Sequence, residues 1–521
     1  ASHTIAGGGN LGLNTLNIQN HGTVRANDVV VPLILDPLAT FINDAGQVLA
    51  SGGGTATFLA GTFSSVNNGV YKVGDGSFFS LSGATLQNLT LGVENLDSNL
   101  SNNVVDLAAT STVSNVTNES FLTVPNALNL NVTDGDLTNN GVIRLDGTGS
   151  FTQLWFNDTT DQTNTLNGSG TVFLSHAAEL VRGNSGVLLI HGASHTVEGG
   201  GNIGFNSLNI QNHGTLRANI ALKLDIDTLL ATGFTNFGNL ETAAGSTMDF
   251  VNNLTQTSGL SKVDGIMEAN AMTFNGGILS GDGSVNAPVT VGAATINADS
   301  LTINGTVSLA ASSIIDVDIA STSVADRLDI LGALTSPGAL LQLHYTGNGS
   351  SLAPGDTFPI FVYPPASAPA FNAFSNAPGG IRKTTVDNRA SFIVSYSAGV
   401  VTLSLPHLAP VFTSTAFSFS VPELSVPNTA VGTASATDHD SANLTYSLSG
   451  SAAFAINTQT GAIRVNGFLD FETQATHNVT VSVTDGEFTA MVPVTIHVTD
   501  IAETNTHIVL ELLAGPGGAF E

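Results

Sequence analysis

Eight carboxylates near the C-terminal end have the types and spacing to hold a hard cation: Glu423, Asp438, Asp440, Asp470, Glu472, Asp485, Asp500 and Glu503. They fall at the ends of strand-like runs. Ca²⁺ takes six to eight oxygen ligands at about 2.3–2.6 Å, so carboxylates gathered at a domain end suit it. Asp438-His439-Asp440 and Asp470-Phe471-Glu472 each put two carboxylates on one side of an extended chain, because side chains alternate along it. Ca²⁺ is therefore the expected cofactor.

Other chemistry is thinly represented, and no catalytic residue is expected. Asp316 and Asp318 lie two apart, and Asp326 and Asp329 three apart, with no Arg clamp or oxyanion donor nearby in sequence; they read as solvated strand faces and turn caps. Gly7-Gly8-Gly9-Asn10 is Gly-rich, but no Lys or helix follows to hold a phosphate. His21 and His213 occupy equivalent repeat positions beside Gly and read as turn residues. Trp155 and Phe156 have the ring faces to stack on a sugar. The chain has no Cys, which removes disulfides, zinc fingers, iron–sulfur clusters and thiol nucleophiles together.

Charge narrows the partners. Among 521 residues there are 12 Lys+Arg against 40 Asp+Glu, a net charge of −28. So few cations cannot neutralise a run of phosphates, which excludes nucleic acid and disfavours anionic membranes. Hydrophobic residues reach 42%, too many for disorder. The strongest apolar run, Val29 to Leu35, is far short of the roughly 20 residues of a membrane span. No signal peptide is visible and the first residue is Ala1, so a processed form or an excerpt is expected.

The elements that position these residues announce themselves by repetition. Residues 1–27 and 193–219 are identical at 21 of 27 positions. A shorter rhythm, Asn-x-Gly-x-apolar, recurs at Asn20, Asn139, Asn212 and Asn236. Asn and Gly tolerate positive φ, so each is a turn signal. The flanking residues alternate apolar and polar, as in Leu16-Asn17-Ile18 and Leu208-Asn209-Ile210, which is strand periodicity with one buried face. Short strands, tight turns and a long imperfect repeat favour an all-β chain built as a parallel β-solenoid over 1–275, with coils of about 20–25 residues and asparagines that bond to turns or stack on each other. The rhythm resembles the solenoids of bacterial surface proteins of the autotransporter and adhesin type.

Residues 276–406 change character. GGILSGDGSVNAPVTV, LTINGTVSL, DRLDILG, GDTFPIF and a final strand pair follow in an order that resembles the C-terminal portion of autotransporter-type repeat proteins. The resemblance implies a β module that closes the solenoid end. From 407 to 505 about seven strand-like runs with turns every 8–12 residues point to an Ig-like Greek-key sandwich. Val421-Pro422-Glu423, Asp438-His439-Asp440, Phe454-Ala455-Ile456-Asn457, Leu469-Asp470-Phe471-Glu472 and Val483-Thr484-Asp485-Gly486 resemble the motifs of a cadherin repeat. The resemblance implies that Asp438, Asp440 and Asp485 face the preceding linker, and that Glu423, Asp470 and Glu472 face the following one. The family's downstream linker stands here as Asp500-Ile501-Ala502-Glu503-Thr504-Asn505, with Ala502 and Thr504 in place of two Asn ligands, so one or two ions are implied rather than three. Residues 506–521 are an apolar tail or the start of a further strand.

These readings lead to a non-enzymatic protein secreted to a bacterial surface or matrix, for adhesion or scaffolding, stiffened by Ca²⁺. The expected partner is a second copy, or a host or neighbour-cell surface protein or glycan. Two alternatives stand: a filament subunit joined head-to-tail by strand complementation, and a β-helix polysaccharide lyase or hydrolase.

Overall fold

The structure, a computed structural model, describes residues 3–94, 104–321, 324–347, 352–353, 355–367, 371, 373–397, 399–438, 441 and 443–502. It divides into two compact units, one built mainly from residues 1–346 and the other mainly from 405 onward. The larger unit is a right-through parallel stack of strands. Thr23–Ala26 pairs with Thr4–Ala6 before it and Gln47–Ala50 after it, and the same pattern recurs up to Leu340–Tyr345. Most strands pair with the third strand along the chain, so each coil has three faces. Such a stack satisfies backbone N–H and C=O groups between coils.

Coil length varies more than the sequence expectation allowed. Ile278 pairs with Thr295, 17 residues on, whereas Val142 pairs with Thr171, 29 residues on. The strands keep register and the corners absorb the difference. Alternation sends one set of side chains inward throughout: Leu122, Ile143, Val172, Val197 and Leu216 follow each other in one column and are all buried. Phe58, Phe63 and Phe79 pack edge to face, with centroids 4.9 and 5.0 Å apart, and fill the wider early coils. Parallel pairing continues without a break past residue 276.

The two 27-residue copies do not lie on the same faces. The column of Thr196 runs back through Thr171, Val142, Phe121, Val104, Phe78 and Thr55, then through the strand Leu33–Leu35 to Gly9–Leu11. Its sequence counterpart is Thr4–Ala6, one face away.

The Asn-x-Gly motifs make corners through their side chains, as the expected turn bonding and stacking require, but not through positive φ. None of Asn20, Asn139, Asn212 or Asn236 has positive φ, and nor do the glycines two residues on. The Asn side chain instead turns inward. Asn212 and Asn236 are buried, and their Nδ2 groups donate to the carbonyls of Gly214 and Gly238 at 3.2 and 3.0 Å. Asn212 Nδ2 also donates to Asn236 Oδ1 at 2.7 Å, one coil on. These are interior asparagine ladders.

Outward columns carry the scarce cations. Arg217 lies between Glu198 and Glu241, at 3.1 and 2.6 Å, and Lys223 meets Asp249 at 2.8 Å. The last coil is closed by chain crossing its edge. Leu341 N donates to Asn376 Oδ1 at 2.9 Å, Leu334 N to Ser367 Oγ at 3.0 Å, and Ser375 N to Ala339 O at 3.0 Å. Phe361, Phe371 and Phe374 fill the space beneath. An open edge of unpaired strands is thereby avoided.

The smaller unit is a β-sandwich. One sheet has Thr476–Thr484 between Thr445–Ser449 and Thr489–Thr499, with Phe417–Pro422 added parallel to the last. The other joins Ala430–Thr433, Ala462–Val465 and Phe454–Ile456. Val421, Tyr446, Phe454, Ile463, Val481 and Ile496 form part of the core between them.

Candidate functional site

The strand Phe417–Pro422 ends where it pairs with Thr499, and the next residue, Glu423, turns into the sandwich end. Glu423 is only 1% exposed. Its Oε2 accepts from Phe471 N at 3.0 Å and its Oε1 from Ile501 N at 2.7 Å. One carboxylate thus ties together the segments that carry Asp470 and Glu472 on one side and Asp500 on the other. Asp470 caps its own turn, accepting from Thr473 N and Oγ1 at 3.1 and 2.7 Å. Glu423, Glu472 and Asp500 each offer a carboxylate oxygen within 4.8 Å of the others.

The electrostatics of this end are those of uncompensated negative charge. The N–H groups of Phe471 and Ile501 hold the Glu423 carboxyl below the usual range, and the Thr473 bonds do the same for Asp470. Glu472 takes a lowering hydrogen bond from its own N–H, yet burial and the charges of Glu423, Asp500 and Asp470 push it above its ordinary value. Each carboxylate oxygen has two lone pairs, so Glu423 can still coordinate while accepting its backbone bonds. Three hard oxygen donors under mutual repulsion fit a Ca²⁺-like ion.

Asp438 and Asp485 lie elsewhere. Asp485 follows the nine-residue strand Thr476–Thr484, while Asp470 and Glu472 precede it, so about 30 Å of extended chain separates them. Asp485 Oδ1 accepts from Glu487 N and Phe488 N, both at 2.7 Å, and Asp438 Oδ1 from Ser441 N at 3.0 Å. Asp440 and Glu503 lie outside the described residues, as does the tail 506–521.

Three features of the solenoid depart from the sequence expectation. Asp326 is 9% exposed rather than solvated. Burial pushes its carboxyl up to about 7, against the bond from Asp318 N at 2.8 Å and with the charges of Asp318, Asp299 and Asp316 adding to the rise. Asp316 lies 3.1 Å from His344 Nε2. Phe156 is fully buried, and the Arg182 guanidinium sits 4.2 Å from the Trp155 ring, so neither ring offers a free face pair to a sugar. Glu179, also fully buried, accepts from Gly147 N at 2.7 Å and Ser175 Oγ at 3.0 Å. Its partner Gly147, 32 positions away, leaves no local signal.

The chain is thus an all-β protein: a parallel β-solenoid of stacked three-faced coils, followed by a sandwich of cadherin type. The family model described as Cadherin domain matches residues 417–520. Over 69 residues the chain is 41% identical to the Fat-like cadherin-related tumor suppressor homolog of Drosophila melanogaster, a stretch that is 13% of this chain and 2% of that protein. Among solved structures, human protocadherin-24 EC1-2 is 31% identical, with 18% of this chain and 44% of that one covered and a TM-score of 0.17. Mouse cadherin-23 EC22-24 is 23% identical, with 21% and 50% covered and a TM-score of 0.18. The chain therefore spans a small part of the relative and about half of each of these structures. Among the described residues no helix is long and apolar enough to cross a membrane.

Proposed function

We propose that this chain is a non-enzymatic adhesion or matrix scaffold, secreted to a bacterial cell surface, in which the solenoid is a spacer and Ca²⁺ stiffens the cadherin-type sandwich. The observation that carries the reading is the trio Glu423, Glu472 and Asp500, within 4.8 Å of one another at the end of that sandwich. Asp470 flanks them, and Asp438 and Asp485, with Asp440, are ligand candidates for a second ion at the opposite end. Glu503, next to Asp500 in sequence, is a further candidate at the first. The ion would cancel the repulsion that raises Glu472 and clamp the segment after Thr499 to the sandwich. Its partner is a second copy, or a protein or glycan of a neighbouring cell.

Calorimetric titration of the full chain with Ca²⁺, alongside melting with and without chelator, tests the metal. Heat of binding, and a rise in melting temperature lost in the E423Q/E472Q variant, support it; no heat and an unchanged melt overturn it. Coated beads that cluster only with Ca²⁺ support adhesion, and beads that stay dispersed at saturating Ca²⁺ count against it.

A second reading, a β-helix polysaccharide lyase or hydrolase, draws on Asp326 and its carboxylate neighbours. A carboxyl titrating near 7 can serve as a general acid at neutral pH. Release of reducing ends or unsaturated products from polysaccharides, abolished in D326N, would favour it.

A further inference from the structure

The interior of the solenoid holds two asparagine ladders that are out of line. Asn118 and Asn139 occupy one column, with Asn118 Nδ2 donating to Asn139 Oδ1 at 2.8 Å. Asn212, Asn236 and Gln256 occupy another, linked at 2.7 and 3.1 Å. The coil between them places Leu166 in the column of His191 and Asn212. Beyond it Gly168 and Gly170 approach the carbonyls of Asn139 and Gly141, with no space for a side chain. Nothing from that coil can carry the polar chain across.

Two imidazoles do. His195 Nε2 lies 3.0 Å from Asn139 Nδ2, His195 Nδ1 lies 3.0 Å from His191 Nε2, and His191 Nδ1 lies 2.6 Å from Asn212 Oδ1. His191 is 2% and His195 1% exposed.

The proton positions follow from the ends inward. Asn139 Nδ2 also donates to Thr171 O at 3.1 Å, which fixes that atom as the amide nitrogen. It faces His195 Nε2 as a donor, so Nε2 must accept and the proton of His195 sits on Nδ1. That proton goes to His191 Nε2, so the proton of His191 also sits on Nδ1 and goes to Asn212 Oδ1. From the other end, Asn212 Nδ2 is fixed by Gly214 O, which leaves Oδ1 as the acceptor. Both ends give the same answer: two neutral rings, one direction of donation, no spare acceptor.

We propose that the His191–His195 pair is an acid-operated latch: at neutral pH it joins the two asparagine ladders, and a proton added to either ring separates the solenoid at the coil carrying Leu166. A proton on His195 Nε2 would face the Asn139 amide hydrogens, and one on His191 Nε2 would face the hydrogen of His195 Nδ1. Turning the Asn139 amide over would set its oxygen against Thr171 O and break the bond from Asn118.

The surroundings offer the added charge no help. Of the strands packed on the pair, Leu137–Asn139, Thr163–Asn167, Thr171–Leu174 and Asn209–Asn212 carry no titratable side chain. Glu198 and Arg217 face outward, paired with each other. His213 flanks His191 and opposes its protonation. Burial first, with His213 adding to it and the Asn212 bond opposing, lowers His191 from 6.5 to about 4; burial and then His191 lower His195 to about 3. The folded form therefore stays neutral while an opened form protonates at 6.5. Stability is full above 6.5 and falls as the pH drops towards the folded values.

Hydrogen exchange of the full chain, followed by mass spectrometry between pH 7 and 4.5 and corrected for intrinsic rates, tests this. Protection of peptides covering 137–142, 188–196 and 209–216 should fall by about a hundredfold per ring at pH 4.5, while that of 284–309 holds. H191Q/H195Q, which cannot titrate, should abolish that fall. Persistence of the fall in the variant, or full protection in the unmodified chain at pH 4.5, overturns the latch. Imidazole nitrogen shifts of the unmodified chain decide independently of how the variant folds. Two rings protonated on Nδ1 and unchanged from pH 7 to 5 are expected; titration of His191 or His195 above pH 6 refutes the proposal.

Discussion

Replacing Asn236 by Asp changes one atom in the buried ladder and should cost far more than replacing it by Leu. Asn236 is fully buried; its Nδ2 donates to Gly238 O at 3.0 Å and Gln256 Oε1 at 3.1 Å, while Oδ1 accepts from Asn212. In N236D two acceptors face a carboxylate oxygen. Two hydrogen bonds are lost, at about 1 kcal/mol each, and a buried charge is left without a partner, so a total of about 4 kcal/mol at pH 8 is reasonable. In N236L the neighbours remain satisfied, because Asn212 Nδ2 keeps Gly214 O and Asn239 O and Gln256 Oε1 keeps Ser261 Oγ. The cost there is about 1–2 kcal/mol. Stacked coils need not unfold as one unit, so a single melting temperature is a poor readout. Exchange protection of Phe234–Asn236 and Asn209–Asn212 reads the local opening instead. A 4 kcal/mol loss is about a thousandfold in that ratio. The buried carboxyl should titrate above its ordinary value, so the N236D penalty relative to the parent is full at pH 8 and shrinks as the pH falls and the acid regains a donor. Protection of N236D within threefold of N236L at pH 8, or a gap that fails to narrow by pH 5, would refute the reasoning.

Other outcomes follow from the same geometry. D326N should stabilise its coil above pH 7, by about 1–3 kcal/mol, and leave it unchanged near pH 4, because a raised carboxyl costs stability only once it ionises; exchange protection of Ile314–Ser321 and Arg327–Ile330 at the two pH values reads this. Phe250, 1% exposed and packed 4.9 Å from Phe234, should cost about 3–5 kcal/mol as F250A and much less as F250L, measured by local exchange. E423Q keeps an acceptor for only one of the two backbone N–H groups and sets an amide NH2 against the other, so it should lower Ca²⁺ affinity at least tenfold by titration and loosen one of Phe471 and Ile501 in exchange, whereas E423A should loosen both.

What could be read from the sequence was periodic or local. Alternation such as Leu208-Asn209-Ile210 marks which side chains face inward, and the repeat of ASHT through RAN marks coils that stack. The carboxylates from Glu423 to Asp500 were visible at strand ends because turn residues flank them. The bonds that matter most were not visible, because their partners are far apart in the chain: Asn139 meets His195 across 56 positions, and Glu423 meets Ile501 across 78. Asp326 was misread as solvated, since its spacing from Asp329 gives no sign that the coil folds over it. Asn212 and Asn236 bond to turn carbonyls and stack on each other, as their recurrence implied, but without the positive φ that Asn tolerates, because the side chain makes the corner by reaching inside.

The one-face offset between the near-identical copies limits what can recognise them. Arg25 and Arg217, or His21 and His213, occupy matching sequence positions but look out in different directions around the axis, and their neighbours differ: Arg217 lies between Glu198 and Glu241 while Arg25 donates to Ser51, and His213 stacks on Phe237 while His21 lies beside Asp44. A flat surface or a straight polymer laid along one side can engage one copy of the motif and not both. Duplication here lengthens the rod without doubling any epitope on a given side, so avidity from the repeat requires a partner that wraps.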